Sequence, residues 1–207
     1  MKMIISYNNL KLNAFQKSNL YEFIKSIFYE KIPHFCYNTR LPVSGNCRLC
    51  LVEVPGLTKP IVSCSLLITS NLNIYSKTPF VKKARENVLE FLLTSHPLDC
   101  PICDQGGECD LQELSYYYGS GSSRFFHSKK NKYSIGLNQG IRTSMNRCIL
   151  CTKCIRASFI YGISTLHAIL RSHSTKIEIF NFSEKPRYSL NLVDICPVFQ
   201  LVVIKGL

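Results

Sequence analysis

The chain has 207 residues and a mass of 23.6 kDa, which leaves room for two or three small modules and excludes a large enzyme body besides. With 46% apolar residues it is no disordered chain, and no apolar run nears the roughly 18 residues of a membrane span, so a soluble or peripheral protein is expected. The formal charge of +12 is uneven, with nine basic against three acidic groups in residues 1–78, three against seven in 79–117, and thirteen against three in 118–207. Such a balance often points to nucleic acid or an anionic membrane, yet eleven cysteines that ionise on binding metal offset much of it.

The N-terminus, MKMIISYNNLKLN, has neither an Arg-rich amphipathic leader nor a signal-peptide apolar core, and reads as folded protein from its start. Met3 to Tyr7, the pair Asn8-Asn9, and Leu10 to Leu12 predict a hairpin, because Asn tolerates the positive φ of a tight turn. Leu20, Phe23, Ile24, Ile27 and Phe28 recur at helical spacing, and that helix should stop before Pro33. Beyond it, Leu51-Val52-Glu53-Val54 alternates as a strand does. Thr78 followed by Pro79 reads as an N-cap with a first-turn proline, and Val81, Ala84, Val88 and Leu92 carry the helix toward His96-Pro97. The polar, Gly- and Ser-rich stretch from Tyr116 to about Asn138 predicts a loose connector. A helix over 152–161, a strand over 175–180 and a Cys196-Pro197 pair near the end complete an α+β chain.

The cysteines carry the chemistry. An odd thiol count cannot be fully paired in disulfides, and C-x2-C recurs along the chain, so a metal framework explains them better than extracellular staples. With one histidine they sort into three sets of four: Cys36, Cys47, Cys50 and Cys64; His96, Cys100, Cys103 and Cys109; Cys148, Cys151, Cys154 and Cys196. In the third set the run C-x2-C-x2-C with a remote Cys-Pro has the spacing of bacterial ferredoxin sites, which favours a [4Fe-4S] cluster over zinc. The first set, C-x10-C-x2-C-x13-C, is closest to a plant-type [2Fe-2S] site with a lengthened first gap; taken alone, these four suit zinc as well. In the second set His96 stands out from His34, His127, His167 and His173 only because it precedes Cys100-Pro101-Ile102-Cys103 where a fourth ligand is needed. His34, two residues from Cys36, reads as a packing or surface residue, and Gly106-Gly107 as a turn that lets backbone approach the site.

Four strings carry a family resemblance: IPHFCYNTRLPVSGNCRLCLVEV (Ile32 to Val54), HPLDCPICDQGGECDLQ (His96 to Gln112), MNRCILCTKCIR (Met145 to Arg156) and NLVDICPV (Asn191 to Val198). They resemble the N-terminal part of the large, 75 kDa-type iron-sulfur subunit of respiratory complex I, NADH:ubiquinone oxidoreductase. The resemblance implies one [2Fe-2S] and two [4Fe-4S] clusters held by the twelve residues above. It implies a β-grasp [2Fe-2S] ferredoxin-like domain over 1–78, a small helical His/Cys3 [4Fe-4S] domain over 79–118, a connector over 119–138 and a ferredoxin-like [4Fe-4S] domain over 139–207. It further implies electron relay from NADH oxidation toward ubiquinone, with the NADH/flavin-binding subunit and the downstream iron-sulfur subunits as partners and the membrane met only through the complex. The expected location is the matrix side of the mitochondrial inner membrane. Two departures stand out: the chain ends about ten residues after Cys196, before the family's large C-terminal domain, and Phe199-Gln200-Leu201 replaces the family's Gly-Ala-Leu. With a composition rich in Asn, Lys, Ile, Tyr and Phe, this suggests an organelle-encoded chain whose C-terminal part is encoded separately or lost; import from the cytosol would overturn that.

No G-x-G-x-x-G fingerprint and no nucleophile-base pair is present, so the chain is not expected to bind NADH itself, and no catalytic residue is assigned. Two rivals remain. The same module serves soluble NAD-linked hydrogenases and formate dehydrogenases, which co-purifying subunits would reveal. A zinc-stabilised nucleic-acid-binding protein would use the +12 charge and Tyr116-Tyr117-Tyr118, although such a tyrosine run more often packs a core or an interface.

Overall fold

The computed structural model describes residues 2–119, 121–126, 129, 136–138, 141–162, 166–171, 174–179, 189–198 and 201–203. They divide into two compact units, 1–37 with 43–90, and 38–42 with 91–207.

In the first unit β1 (Lys2–Tyr7) and β2 (Leu10–Phe15) form an antiparallel hairpin with Tyr7 opposite Leu10. Its turn is Asn8-Asn9 at φ 46° and 72°, the left-handed pair that matches the twist of the strands. Period-two alternation sends Met3, Ile5 and Tyr7 into the core and leaves Ile4 outside. A later strand, β5 (Leu72–Ile74), pairs parallel to β1, giving the order β2-β1-β5. Across this sheet lies α1 (Leu20–Phe28), opened by Asn19, whose side chain accepts from the Glu22 amide, and closed by Tyr29 at φ 51°. It buries Leu20, Tyr21 and Ile24, with Phe23 and Phe28 at the edge of the same core and Ile27 exposed.

The strand expected over 51–54 is shorter. Leu51–Val52 forms β3, paired with β4 (Ile61–Val62), and Glu53 adds only a bridge to Tyr75. Leu51 and Val52 are both buried, so covering on two faces replaces the expected alternation.

The helix after Thr78 is α2 (Pro79–Ser95). The Thr78 hydroxyl accepts from the Val81 amide and donates to Glu53 Oε2 at 2.6 Å. Its most buried stripe is Val81, Arg85 and Leu89, one position round from the expected apolar row. A charged residue holds this inward position because Arg85 Nη2 donates to the Leu51 carbonyl at 2.7 Å, next to Cys50.

The second unit contains α3 (Asp110–Tyr118), with Asp110 and Glu113 in its first turn, and a sheet of order β10-β7-β6 from Leu201–Val203, Ile141–Thr143 and Gly136–Asn138. It adds α4 (Lys153–Ile160), the hairpin β8 (Leu166–Ile169) with β9 (Lys176–Ile179), and α5 (Ser189–Asp194). The last three residues of the expected connector thus form a strand, since β7 offers them an edge. Much of the remainder of that connector, with His127, His173, Phe180 and Phe199-Gln200, lies outside the described residues. The core gathers Leu41, Met145, Cys154, Ala157, Leu166, Ile177, Leu192, Val193 and Leu201. Tyr116 and Tyr117 are exposed on α3, which removes the core reading of the tyrosine run. Among the described residues no helix is long and apolar enough to cross a membrane.

Candidate metal centres

None of the eleven cysteines is in a disulfide. In the first unit Cys36, Cys47, Cys50 and Cys64 are all buried, and their thiols interact with one another, Cys47 with Cys36 and Cys64 with both Cys36 and Cys50. Their loop backbone bends where side chains rarely permit it: Gly45 has φ 64° and Arg48 φ 53°. The loop is also tied down, since the Ser63 amide and hydroxyl both donate to the Cys50 carbonyl, at 2.8 and 2.9 Å, and Asn19 Nδ2 donates to the Cys64 carbonyl. The bond to Cys36 and burial push the Cys47 thiol up; the bonds to Cys36 and Cys50 do the same to Cys64. Receiving the bond from Cys64 brings Cys50 down to about 7. Ionised thiols crowded this closely repel one another until a cation joins them. His34 packs between Tyr21 and Tyr37, with Nδ1 3.2 Å from the Tyr21 hydroxyl.

The second set straddles the end of α2 and the start of α3. His96 is half-buried, and its Nδ1 is sealed from solvent without a hydrogen-bond partner. Burial, then the charges of Lys129 and Arg147, lower its pKa and keep the imidazole neutral, the form that ligates metal. Cys100 is exposed and Cys103 and Cys109 are half-buried. Cys109 sits at the N-cap of α3, where the amides of Leu111 and Gln112 face its sulfur; burial nevertheless raises its thiol, with Cys103 and Cys100 adding repulsion. A Cβ on Gly106 would lie 2.6 Å from the Cys100 carbonyl oxygen and 3.1 Å from that of Cys103, so only glycine lets the loop close this tightly. Gly107 follows at φ 90° and donates its amide to Gln112 Oε1.

The third set shares one cavity, lined by Cys148, Cys151, Cys154 and Cys196 with Ile149, Lys153, Ile177 and Val198. Leu150 and Thr152 at φ 53° and 60° coil the C-x2-C-x2-C loop, and the Leu150 amide donates to Cys148 Sγ at 3.4 Å. The α5 segment returns Cys196 to this cavity from far along the sequence. Burial pushes Cys151 up to about 11 and also raises Cys154; the other thiols add repulsion in both cases. Arg156 braces the loop, donating to the carbonyls of Cys151 at 3.2 Å and Pro42 at 2.6 Å.

Among the described residues no three His, Cys, Asp or Glu side chains form a single-ion site. The donor chemistry suits a multi-iron group instead: thiols gathered in fours and raised by mutual repulsion, an unpartnered buried imidazole nitrogen, and a ligand loop closed to the limit of glycine. Sequence reasoning did not single out Asp99, Arg147 or Arg156, whose partners lie far along the chain.

Two family models match. The iron-sulfur binding region of NADH-ubiquinone oxidoreductase-G covers residues 85–124, and the ferredoxin-like domain of NADH-quinone oxidoreductase subunit 3 covers 138–202. The G subunit of the NADH-quinone oxidoreductase of Rickettsia conorii is 50% identical over 176 residues, 83% of this chain and 26% of that protein. The chain belongs to the NADH-quinone oxidoreductase-G family. Two further family members, the NADH-ubiquinone oxidoreductase 75 kDa subunit of Reclinomonas americana and the mitochondrial NADH dehydrogenase [ubiquinone] iron-sulfur protein 1 of Solanum tuberosum, are each 48% identical, over 83% and 82% of this chain and 25% and 23% of theirs. The chain thus spans about a quarter of the length of these relatives. A chain in the crystal structure of an NAD+-reducing [NiFe]-hydrogenase superposes with a TM-score of 0.88 at 26% identity, covering 99% of this chain and 88% of its own. The second and third sets fall inside the two regions that the family models match; the first lies outside both.

Proposed function

We propose that this chain is the electron-carrying iron-sulfur portion of a respiratory complex I, relaying electrons from NADH oxidation toward ubiquinone with no substrate site of its own. The observation that carries the reading is the return of remote Cys196 to the cavity of Cys148, Cys151 and Cys154 within the matched ferredoxin-like region. The second set, His96, Cys100, Cys103 and Cys109, takes the other [4Fe-4S] cluster, and Cys36, Cys47, Cys50 and Cys64 take a [2Fe-2S] cluster. A mixed sheet crossed by one helix supports a β-grasp ferredoxin-like domain around that first set. When bound, such clusters supply one-electron centres. The chain's own residues supply thiolates, hold the imidazole neutral, and bury from water the first set together with Cys151 and Cys154 of the third.

The relatives support partners within complex I, among which this reading places the NADH/flavin-binding subunit and the downstream iron-sulfur subunits. The mitochondrial relative supports a mitochondrial location, and this reading sets the chain on the matrix side of the inner membrane, reached through the complex. The hydrogenase superposition favours a second reading, the same module in an NAD-linked hydrogenase, which the subunits co-purifying with this chain would separate.

The test is anaerobic reconstitution of the full chain followed by EPR. One [2Fe-2S] and two [4Fe-4S] clusters require about ten irons and about ten sulfides per chain. Zinc without iron or sulfide sinks the reading and favours the zinc alternative. His96→Ala should weaken or abolish only the second centre's signal, leaving the other two; loss of all three would contradict the separate sets.

A further inference from the structure

We propose that Arg156 is a positioning residue for the third ligand set, its guanidinium fixed against the Cys148 to Cys154 loop so that its charge raises that centre's reduction potential. The inference rests on the iron-sulfur reading above.

Arg156 lies two residues beyond the last cysteine of the C-x2-C-x2-C run, and its side chain turns back along that run. All three guanidinium nitrogens donate: Nη2 to the carbonyl of Cys151 at 3.2 Å, Nε to Thr152 Oγ1 at 3.3 Å and Nη1 to the Pro42 carbonyl at 2.6 Å. The first two acceptors belong to the bend of the ligand loop, where Thr152 holds φ 60°, a value that side chains rarely permit. The third is anchored by its neighbour. The Leu41 amide bonds to the Asn38 carbonyl at 3.1 Å, and the Leu41 side chain is buried in one core with Cys154 and Ala157. A planar guanidinium fork suits acceptors on three separate groups and keeps its charge in one place. These three acceptors are neutral, so the bonds hold the cation without cancelling its charge.

The charge at this helix end runs against the local rule. A helix N-terminus carries partial positive charge and favours acidic side chains, yet α4 begins with Lys153 and has no acidic residue in its first turn. The Arg156 amide closes that turn on the Thr152 carbonyl at 3.1 Å, which puts both cations at the same end of the helix. A local preference broken in this way marks a place where another interaction decides. Here the other party is the third set: Cys148, Cys151, Cys154 and Cys196 line one cavity together with Lys153. A centre held by four thiolates is anionic. Reduction adds an electron there, and a fixed cation beside it favours the reduced form. Lys153 brings its ammonium on a flexible stem, whereas the Arg156 guanidinium is pinned at three points.

The experiment compares the full chain, reconstituted anaerobically with iron and sulfide, as wild type, R156Q and R156K, by potentiometric EPR with iron and sulfide counts. His96→Ala tells the two [4Fe-4S] signals apart. R156Q keeps a hydrogen-bonding side chain and deletes the charge. It is expected to retain its iron, while the reduced-to-oxidised ratio of the third centre falls about tenfold at a given potential, a shift of about 59 mV for one electron. The other two centres should move less. R156K should bring the ratio back to within about threefold of wild type, because the charge returns without the fork. A third centre unmoved in R156Q, or moved no more than the other two, overturns the proposal, as does R156K shifted as far as R156Q. If R156Q does not load the third site, R156K decides: a potential near wild type supports the assignment, and a shifted one, or failure of R156K to load as well, overturns it. A wild-type chain that takes up no iron instead sinks the iron-sulfur reading, before any variant is compared.

Discussion

Tyr7 sits at the inner end of β1 with its phenol donating to Ser76 Oγ at 2.7 Å in the core. Burial pushes that phenol up to about 12, from an ordinary 10. A raised folded-state value means that the neutral form is favoured on folding, so this stability is complete below about pH 10 and is lost as pH climbs toward about 12. Tyr7→Phe should cost about 1 kcal/mol at neutral pH, the worth of one buried hydrogen bond, and should reduce the alkaline loss seen in denaturant titrations across pH 10 to 12. An unchanged alkaline loss would show that Tyr7 does not contribute to it. Gly106 makes a second residue-scale case. Gly106→Ala should force the Cys100–Cys103 backbone apart and lower iron at the second site alone, measured as iron per chain with the second EPR signal reduced and the others retained.

The segment 38–42 lies between two ligands of the first set, Cys36 and Cys47, yet belongs to the second unit. Leu41 enters the core formed with Met145, Cys154 and Ala157, and the Pro42 carbonyl accepts from Arg156. The long C-x10-C gap, which sets the first loop apart from plant-type spacing, therefore carries packing as well as ligands. Leu41→Ala should destabilise the second unit by about 2 to 4 kcal/mol, the usual cost of truncating a buried leucine, and chemical denaturation should register it; a change below about 0.5 kcal/mol would mean the loop packs there without consequence. In α2 the capping threonine, first-turn proline and end near His96-Pro97 were readable, because caps and turns act over a few residues. The rotation of its buried face toward Arg85 was not, since that depends on a carbonyl more than thirty positions upstream.

For the whole molecule, thiols raised by burial and mutual repulsion mean that metal binding and folding are linked. Removing iron and sulfide with a chelator under anaerobic conditions should lower the thermal midpoint by several degrees or more, since a ligand bound only to the folded form adds its binding free energy to stability; equal midpoints for loaded and stripped protein would separate the clusters from folding. The +12 charge fits this picture as well as nucleic acid would, because the ligand thiolates draw on it.

The sequence by itself determined the hairpin at Asn8-Asn9 and the two N-terminal helices, since each depends on spacing and capping within a few residues. Only the tertiary structure decided that Arg147 pairs with Asp99, that Leu41 leaves its own ligand loop for another core, that Leu51 and Val52 are covered on both faces, and that Tyr116 and Tyr117 of α3 face outward. Those outcomes depend on which distant groups meet. Packing and the pairing of buried polar atoms choose such partners, and periodicity along the chain carries no record of them.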